Sequence, residues 1–301
     1  MDLCSVQIRI LSIRTEDVIM RLLSTIFLLF LLSAPAYSQV LASFNSDGLT
    51  YGHVHLNVFD MERHKDIWVN HFGGRVVEKG RNAQGNPILT AVVLNNMLVA
   101  LSPSDPTMDS PSTVMDHFGF KVRNMDIFLE KWEADGLPVT TEAAGFGGRT
   151  FLGAEGQINA FVDLPGGARV ELQEDQGLQQ EVTGYHIHFN TAGHEELLAW
   201  YTDLLNLDVR PRGAIPTTTN VPGMNLSFGG SQTARAATQG TAIDHIGFEI
   251  DGLEEFCRRL EAMGIEFQVA YREVPSIDLN IAYIIDPRGV RIEFTEGYDE
   301  Y

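Results

Sequence analysis

Cysteine is nearly absent from this 301-residue chain, which has only Cys4 and Cys257. That excludes a disulfide framework. Removal of the N-terminal segment would leave Cys257 alone on a predicted helix, where a thiol is ordinarily a packing residue and not a nucleophile. Positive charge is scarce too: 21 Lys and Arg stand against 40 Asp and Glu, a net charge of -19. A chain so acidic lacks the basic face that nucleic acid or anionic membrane would need. Heptads and low-complexity tracts are also missing, so no coiled coil or disordered array organises the chain. The one long apolar run, Leu22 to Leu32, is short for a bilayer. It follows Arg21 and precedes Ser33-Ala34-Pro35-Ala36-Tyr37-Ser38, with small residues Ala36 and Ser38 at cleavage spacing, and Met20 reads as the better start. The expectation is a signal peptide over residues 1–38 and an exported, periplasmic or secreted protein. An uncleaved anchor is the alternative.

What the chain has is histidine, placed repeatedly. Four short apolar strands open on it: Gly52-His53-Val54-His55-Leu56, Asp116-His117-Phe118-Gly119-Phe120, Tyr185-His186-Ile187-His188-Phe189 and Asp244-His245-Ile246-Gly247-Phe248. Alternation puts the leading histidine and the residue two places on upon one face of the strand. Six of the nine histidines occupy these two positions. Each strand is followed by a helical stretch, capped by Asp60, Asn124 or Asp251 and stopped at Gly73, Gly136, Gly264 or Asn206. Short alternating runs then follow, as at Arg75 to Glu78, Ile88 to Leu94 and Met97 to Leu101. The predicted unit is strand, helix and three strands, repeated four times. Even copies end in a Pro/Gly hairpin and a strand with an inward carboxylate, Glu171 or Glu293. Odd copies have Ala100 and Ser227 at that place.

These features resemble the vicinal oxygen chelate superfamily, which includes glyoxalase I, the extradiol dioxygenases and the fosfomycin and bleomycin resistance proteins. The resemblance runs from Tyr51 to Gly297 and rests on the four histidine strand starts and the D-P-x-G-x-x-x-E ending at Glu293. It implies an α+β fold of four βαβββ units whose paired units form two cup-shaped sheets. The expected domains are 39–175 and 183–298. It also implies metal ligands: His53, His117 and Glu171 in the front half, and His186, His245 and Glu293 in the back half. A lone histidine on a half-buried strand is usually structural. Four at one repeat position, with two inward glutamates, point to a divalent metal, since buried charge needs a partner.

Imidazole and carboxylate suit Fe2+ or Mn2+ first, and also Zn2+, Ni2+ or Co2+; three protein ligands leave positions open for substrate. A glyoxalase-type site would add a fourth protein ligand where Ala100 and Ser227 stand. Pairing of units is open at this level. Neighbouring units give the two sets just named, whereas pairing first with fourth and second with third gives His53, His245, Glu293 and His117, Glu171, His186. Neighbours are preferred, because Gln176 to Glu181 reads as a linker between halves.

His55 and His188 follow a ligand position by two, as acid or base or as packing residues. Tyr283 occupies the tyrosine of the family's ring-cleavage pattern, but the histidine expected six to eight residues earlier is missing, with Ser276 and Pro275 in that window. Arg149, beside the glycines of 145–148, is a candidate for an anionic substrate. His64, His71 and His194 are read as solvated helix residues. The functional expectation is a metal-dependent enzyme with dioxygenase-type or glyoxalase/lyase-type chemistry on a small oxygen-rich molecule. The other class is a small-ligand binding or sequestering protein without turnover. A homo-oligomer is compatible with either.

Overall fold

A computed structural model describes residues 40–301; the expected signal peptide lies outside them. The first unit contains β1 (Leu49–Val58), α1 (Met61–Asn70), β2 (Arg75–Lys79), β3 (Leu89–Val93) and β4 (Leu98–Pro103). The second has β5 (Met115–Val122), α2 (Met125–Ala134), β6 (Phe151–Leu152), β7 (Ile158–Asp163) and β8 (Arg169–Glu174). The third has β9 (Val182–Asn190), α3 (His194–Leu205), β10 (Thr218–Val221) and β11 (Met224–Gly229), with one bridge from Val209 to Thr219 in place of a strand. The fourth has β12 (Ile243–Ile250), α4 (Leu253–Ala262), β13 (Phe267–Val274), β14 (Leu279–Ile285) and β15 (Arg291–Glu296). The α+β repeat is as expected.

Local chemistry explains the helix ends. Asp60 and Asn124 each accept the amide three residues on, at 3.0 Å, which satisfies donors that helix starts leave free. Gly73, Gly136 and Gly264 at φ 71°, 73° and 83°, and Asn206 at 52°, take the left-handed turn that ends a helix. Asp251 does not cap α4. Gly252, itself left-handed, intervenes, and Glu296 accepts the Gly252 amide at 2.9 Å instead.

Two mixed sheets result, ordered β13-β14-β15-β12-β1-β4-β3-β2 (sheet 1) and β10-β11-β9-β5-β8-β7-β6 (sheet 2). The first unit pairs with the fourth and the second with the third. Neighbour pairing is therefore corrected. The reason lies in the Gln176–Glu181 stretch, which is a tight return within sheet 2. Asp175 N donates to Val122 O at 2.8 Å, Arg123 N to Glu181 O at 2.9 Å, and Arg123 Nε to Leu178 O at 3.0 Å. These bonds lay β9 antiparallel against β5.

Neighbouring units meet instead through their outer faces. Trp68 of α1 stacks on Phe118 of β5 at 6.1 Å between centroids, and Phe72 meets Phe120 at 4.8 Å and Phe128 at 5.4 Å. One continuous core thus joins both sheets. His64 and His71 lie in this region and are buried, at 1% and 6% exposure, contrary to the solvated reading. His64 Nε2 is 2.8 Å from Pro165 O, and His71 Nε2 is 2.8 Å from Asp135 Oδ2. Sitting between packed units, they lose water but keep a polar partner.

The inner faces of the two sheets differ. Sheet 1 carries Leu89, Ala91, Leu98, Ala100 and Ile281, covered by Leu41, Ile277 and Tyr298. Glu249 on β12 latches the C-terminal part of this cover, accepting the Tyr298 amide at 2.8 Å as well as the Gly297 amide and the Thr295 hydroxyl. Burial outweighs these bonds and pushes its carboxyl from 4.5 up to about 7. Between those values the folded chain keeps a proton that the unfolded chain has lost, so stability falls as pH rises through the window and levels off above it. We predict that Glu249→Gln removes a decline on the order of 3 kcal/mol from denaturant melts run between about pH 4.5 and about pH 7. An unchanged slope in the variant would assign the decline to other groups.

Candidate metal centres

Sheet 2 brings His117 from β5, Glu171 from β8 and His186 from β9 together, their donor atoms all within 4.8 Å. Both imidazoles address one carboxylate oxygen: Glu171 Oε2 lies 3.0 Å from His117 Nε2 and 2.9 Å from His186 Nε2. The other groups fix this orientation. His117 Nδ1 lies 2.7 Å from Asp116 Oδ1, which turns Nε2 inward, and Asn159 Nδ2 donates to Glu171 Oε1 at 2.7 Å. Burial opposes charge on His117, yet the bonds to Asp116 and Glu171 outweigh it and push the imidazole up to about 9. Burial carries His186 down to about 4. Glu171 resists burial because the two histidines hold it well below the carboxylate range.

A cavity of about 350 Å³ opens over this triad, lined by His117, Glu171, His188, Asn159, Phe146, Phe151, Phe161, Glu155 and Arg212. His188 stands beside His117 with ring centroids 4.7 Å apart. Burial and the neighbouring His117 charge push it down to about 3, so it is a neutral base at ordinary pH. Its Nδ1 has no partner among the described residues.

Sheet 1 repeats the triad with His53, His245 and Glu293, exposed by 0%, 2% and 4%. Glu293 Oε2 lies 2.9 Å from His53 Nε2 and 3.0 Å from His245 Nε2. Asp244 bonds His245 Nδ1 as Asp116 bonds His117 Nδ1. Tyr283 donates to Glu293 Oε1; burial and that carboxylate raise its pKa. His55 joins this group but is tied to Ser102 Oγ at 2.7 Å and held at about 3 by burial and by His245. The ring of Tyr298 rests on His53, centroids 4.9 Å apart. Tyr283 and His55 therefore belong to the covered sheet. In the open cup the place of Tyr283 is held by Phe161, which faces Glu171 in register.

Arg149 is not in the cavity lining; its guanidinium is 2.7 Å from Glu133 and 3.5 Å from Asp126 on α2. The cationic group in the cup is Arg212, which sequence reading missed because it lies in the irregular 207–217 stretch. Gly119 and Gly247 were missed also. A Cβ on Gly119 would stand 2.1 Å from His186 Cε1, and one on Gly247 1.9 Å from His53 Cε1. The His-x-Gly pattern of both even copies was their signal, and the Asp-His dipeptide was that of Asp116 and Asp244.

The model of the Glyoxalase/Bleomycin resistance protein/Dioxygenase superfamily matches residues 50–172 and 184–294. The chain belongs to that superfamily. Among solved structures it is similar to glyoxalase I from Zea mays, at 16% identity over 82% of this chain and 92% of that one, with TM-score 0.61. A point mutant of the same maize enzyme gives 15% identity, coverage of 84% and 95%, and TM-score 0.64. A putative dioxygenase from Bacillus subtilis gives 13% identity, coverage of 85% and 88%, and TM-score 0.60. At such identities the likeness concerns the fold. No curated protein matches the chain in sequence.

Proposed function

We propose that the chain is a metal-dependent enzyme of dioxygenase type whose centre is His117, His186 and Glu171, acting on a small molecule with two adjacent oxygens. The carrying observation is the contrast between the cups: the sheet 2 triad opens into a cavity, while the sheet 1 triad lies under apolar cover. The sheet 2 donors fit a divalent ion. Two imidazole nitrogens and one carboxylate oxygen face one point, the outer atoms of His117 and Glu171 are held by Asp116 and Asn159, and His186 Nε2 approaches Glu171 without the alignment of a hydrogen bond. Fe2+ or Mn2+ is favoured, and Zn2+, Ni2+ or Co2+ shares the donor preference. When bound, the metal would polarise the substrate oxygens as a Lewis acid. His117 gives up its proton when the site is loaded.

The chain's own groups do the rest. His188, beside the triad, would accept the proton of a substrate hydroxyl acidified at the loaded site. Asp116 keeps His117 in the tautomer that presents Nε2. Phe146, Phe151 and Phe161 keep water from one wall of the cup. Ser227, at the place of a fourth glyoxalase-type ligand, is bonded instead to Asn225 at 2.8 Å and to Arg212 at 3.1 Å. Placement of His188 also favours a second reading, proton shuttling of lyase or isomerase type.

The test is to strip the protein with chelator, reload it with Fe2+, Mn2+ or Zn2+, and assay vicinal diols and hydroxyketones with and without air. We expect oxygen uptake only from reloaded protein, and its loss in His188→Ala. Turnover without air would establish the second reading. Tight ligand binding by metal-free protein with no turnover would overturn the enzyme reading in favour of a sequestering protein.

A further inference from the structure

We infer that Arg212 is an anion-recognising residue and that the substrate is a small planar carboxylate, its adjacent oxygens facing His117, His186 and Glu171. This rests on the sheet 2 cup being the substrate site. Arg212 is held in the cup by a two-way backbone bridge with Ile215, both N–H···O distances being 2.9 Å. Its side chain is 12% exposed, so the guanidinium is largely removed from water. A buried guanidinium needs its donors met. Nη1 donates to Glu155 at 2.9 Å and Nη2 to Ser227 at 3.1 Å, while the buried Nε has no partner among the described residues.

Glu155 positions this group and has little left for a ligand. It also accepts from Gln173 Nε2 at 2.9 Å and Tyr185 Oη at 2.8 Å, and these bonds with the Arg212 charge hold it below the usual range despite burial. Both Glu155 and Arg212 line the cavity, which places the guanidinium beside the space over the triad. A planar fork with unspent donors selects a carboxylate. The covered sheet has Ala100 in the register position of Ser227, and its own guanidinium, Arg291, is bonded to Asp244 at 2.9 Å.

An aromatic wall of the same cavity offers a flat apolar surface on which a planar molecule can pack. Phe146 and Phe151 stack at 4.0 Å and 21°, and Phe151 and Phe161 at 5.5 Å and 15°, giving nearly parallel ring faces. The cavity volume sits at the small end of the usual range for ligand pockets, roughly 300–1,000 Å³.

The probes are protocatechuate, an aromatic acid with adjacent hydroxyls, and its methyl ester, titrated calorimetrically into Mn2+-loaded protein whose metal content is measured in the same samples. The acid should bind about ten- to a hundred-fold tighter than the ester, as a charge-assisted bond predicts. Arg212→Gln should bind both alike at unchanged metal content, and Arg212→Lys should recover part of the preference. A preference kept in Arg212→Gln, no preference in the parent protein, or binding of neither probe at full metal content would overturn the inference while leaving the metal centre standing. Failure of the parent protein to hold metal would overturn the centre itself, and this inference with it.

Discussion

Glu171→Ala is expected to empty the sheet 2 centre and abolish turnover, with metal affinity down by at least about 100-fold. Its Oε2 is the one anionic donor between His117 and His186, and without it two imidazoles remain, which rarely hold a three-ligand ion. Glu293→Ala makes the same chemical change in the covered sheet and should give a different result. There the loss leaves His53 buried without its carboxylate partner and His245 with Asp244 alone, so the cost is stability, about 3–5 kcal/mol for breaking a buried charged network, with turnover kept. Denaturant melts, metal analysis and turnover, measured together on both variants, separate the roles. Equal loss of turnover in the two would remove the functional distinction between the sheets.

Gly119→Ala should be almost as damaging, although it deletes no chemical group. The backbone at Gly119 does not need a left-handed conformation, so alanine is locally acceptable. The obstacle is the His186 ring, with Cε1 2.1 Å and Nδ1 2.4 Å from the added methyl carbon. The ring must move, and it is one of the proposed ligands. The expected result is about 1–3 kcal/mol of overpacking and a loss of metal affinity of about tenfold or more. Gly147→Ala is the control, since no neighbouring atom lies within 4 Å of its added carbon. Metal titration reads the difference: undiminished affinity in Gly119→Ala would show that His186 is free to relocate and does not bind the ion.

The unit and the placement of its histidines and glutamates were legible because they depend on local periodicity. Alternation places His53, His117, His186 and His245 at equivalent strand positions, and Glu171 and Glu293 on the last strands. Pairing was not legible, for a definite reason. Each odd copy offers His-x-His and each even copy His-x-Gly, so the glycine that makes room for a facing imidazole fits either odd partner. In the fold Gly119 faces His186 and Gly247 faces His53, but the exchanged pairs would satisfy the same pattern. Only the turn secured by Arg123 decides it. The closure of sheet 1 was half visible, in Leu98 and Ala100 against Asn225 and Ser227. Its cover was not, because Leu41, Ile277 and Tyr298 come from distant parts of the chain and carry no common motif. Arg212 was hidden for a similar reason: Pro211, Gly213 and Pro216 break the alternation around it.

The most direct measurement of the central claim is an anomalous difference map from crystals of the Mn2+-loaded protein. The account predicts a peak in sheet 2 at coordination distance, about 2.0–2.2 Å, from His117 Nε2, His186 Nε2 and a Glu171 carboxylate oxygen. A map with its peak only among His53, His245 and Glu293, or with none at either triad, would contradict it.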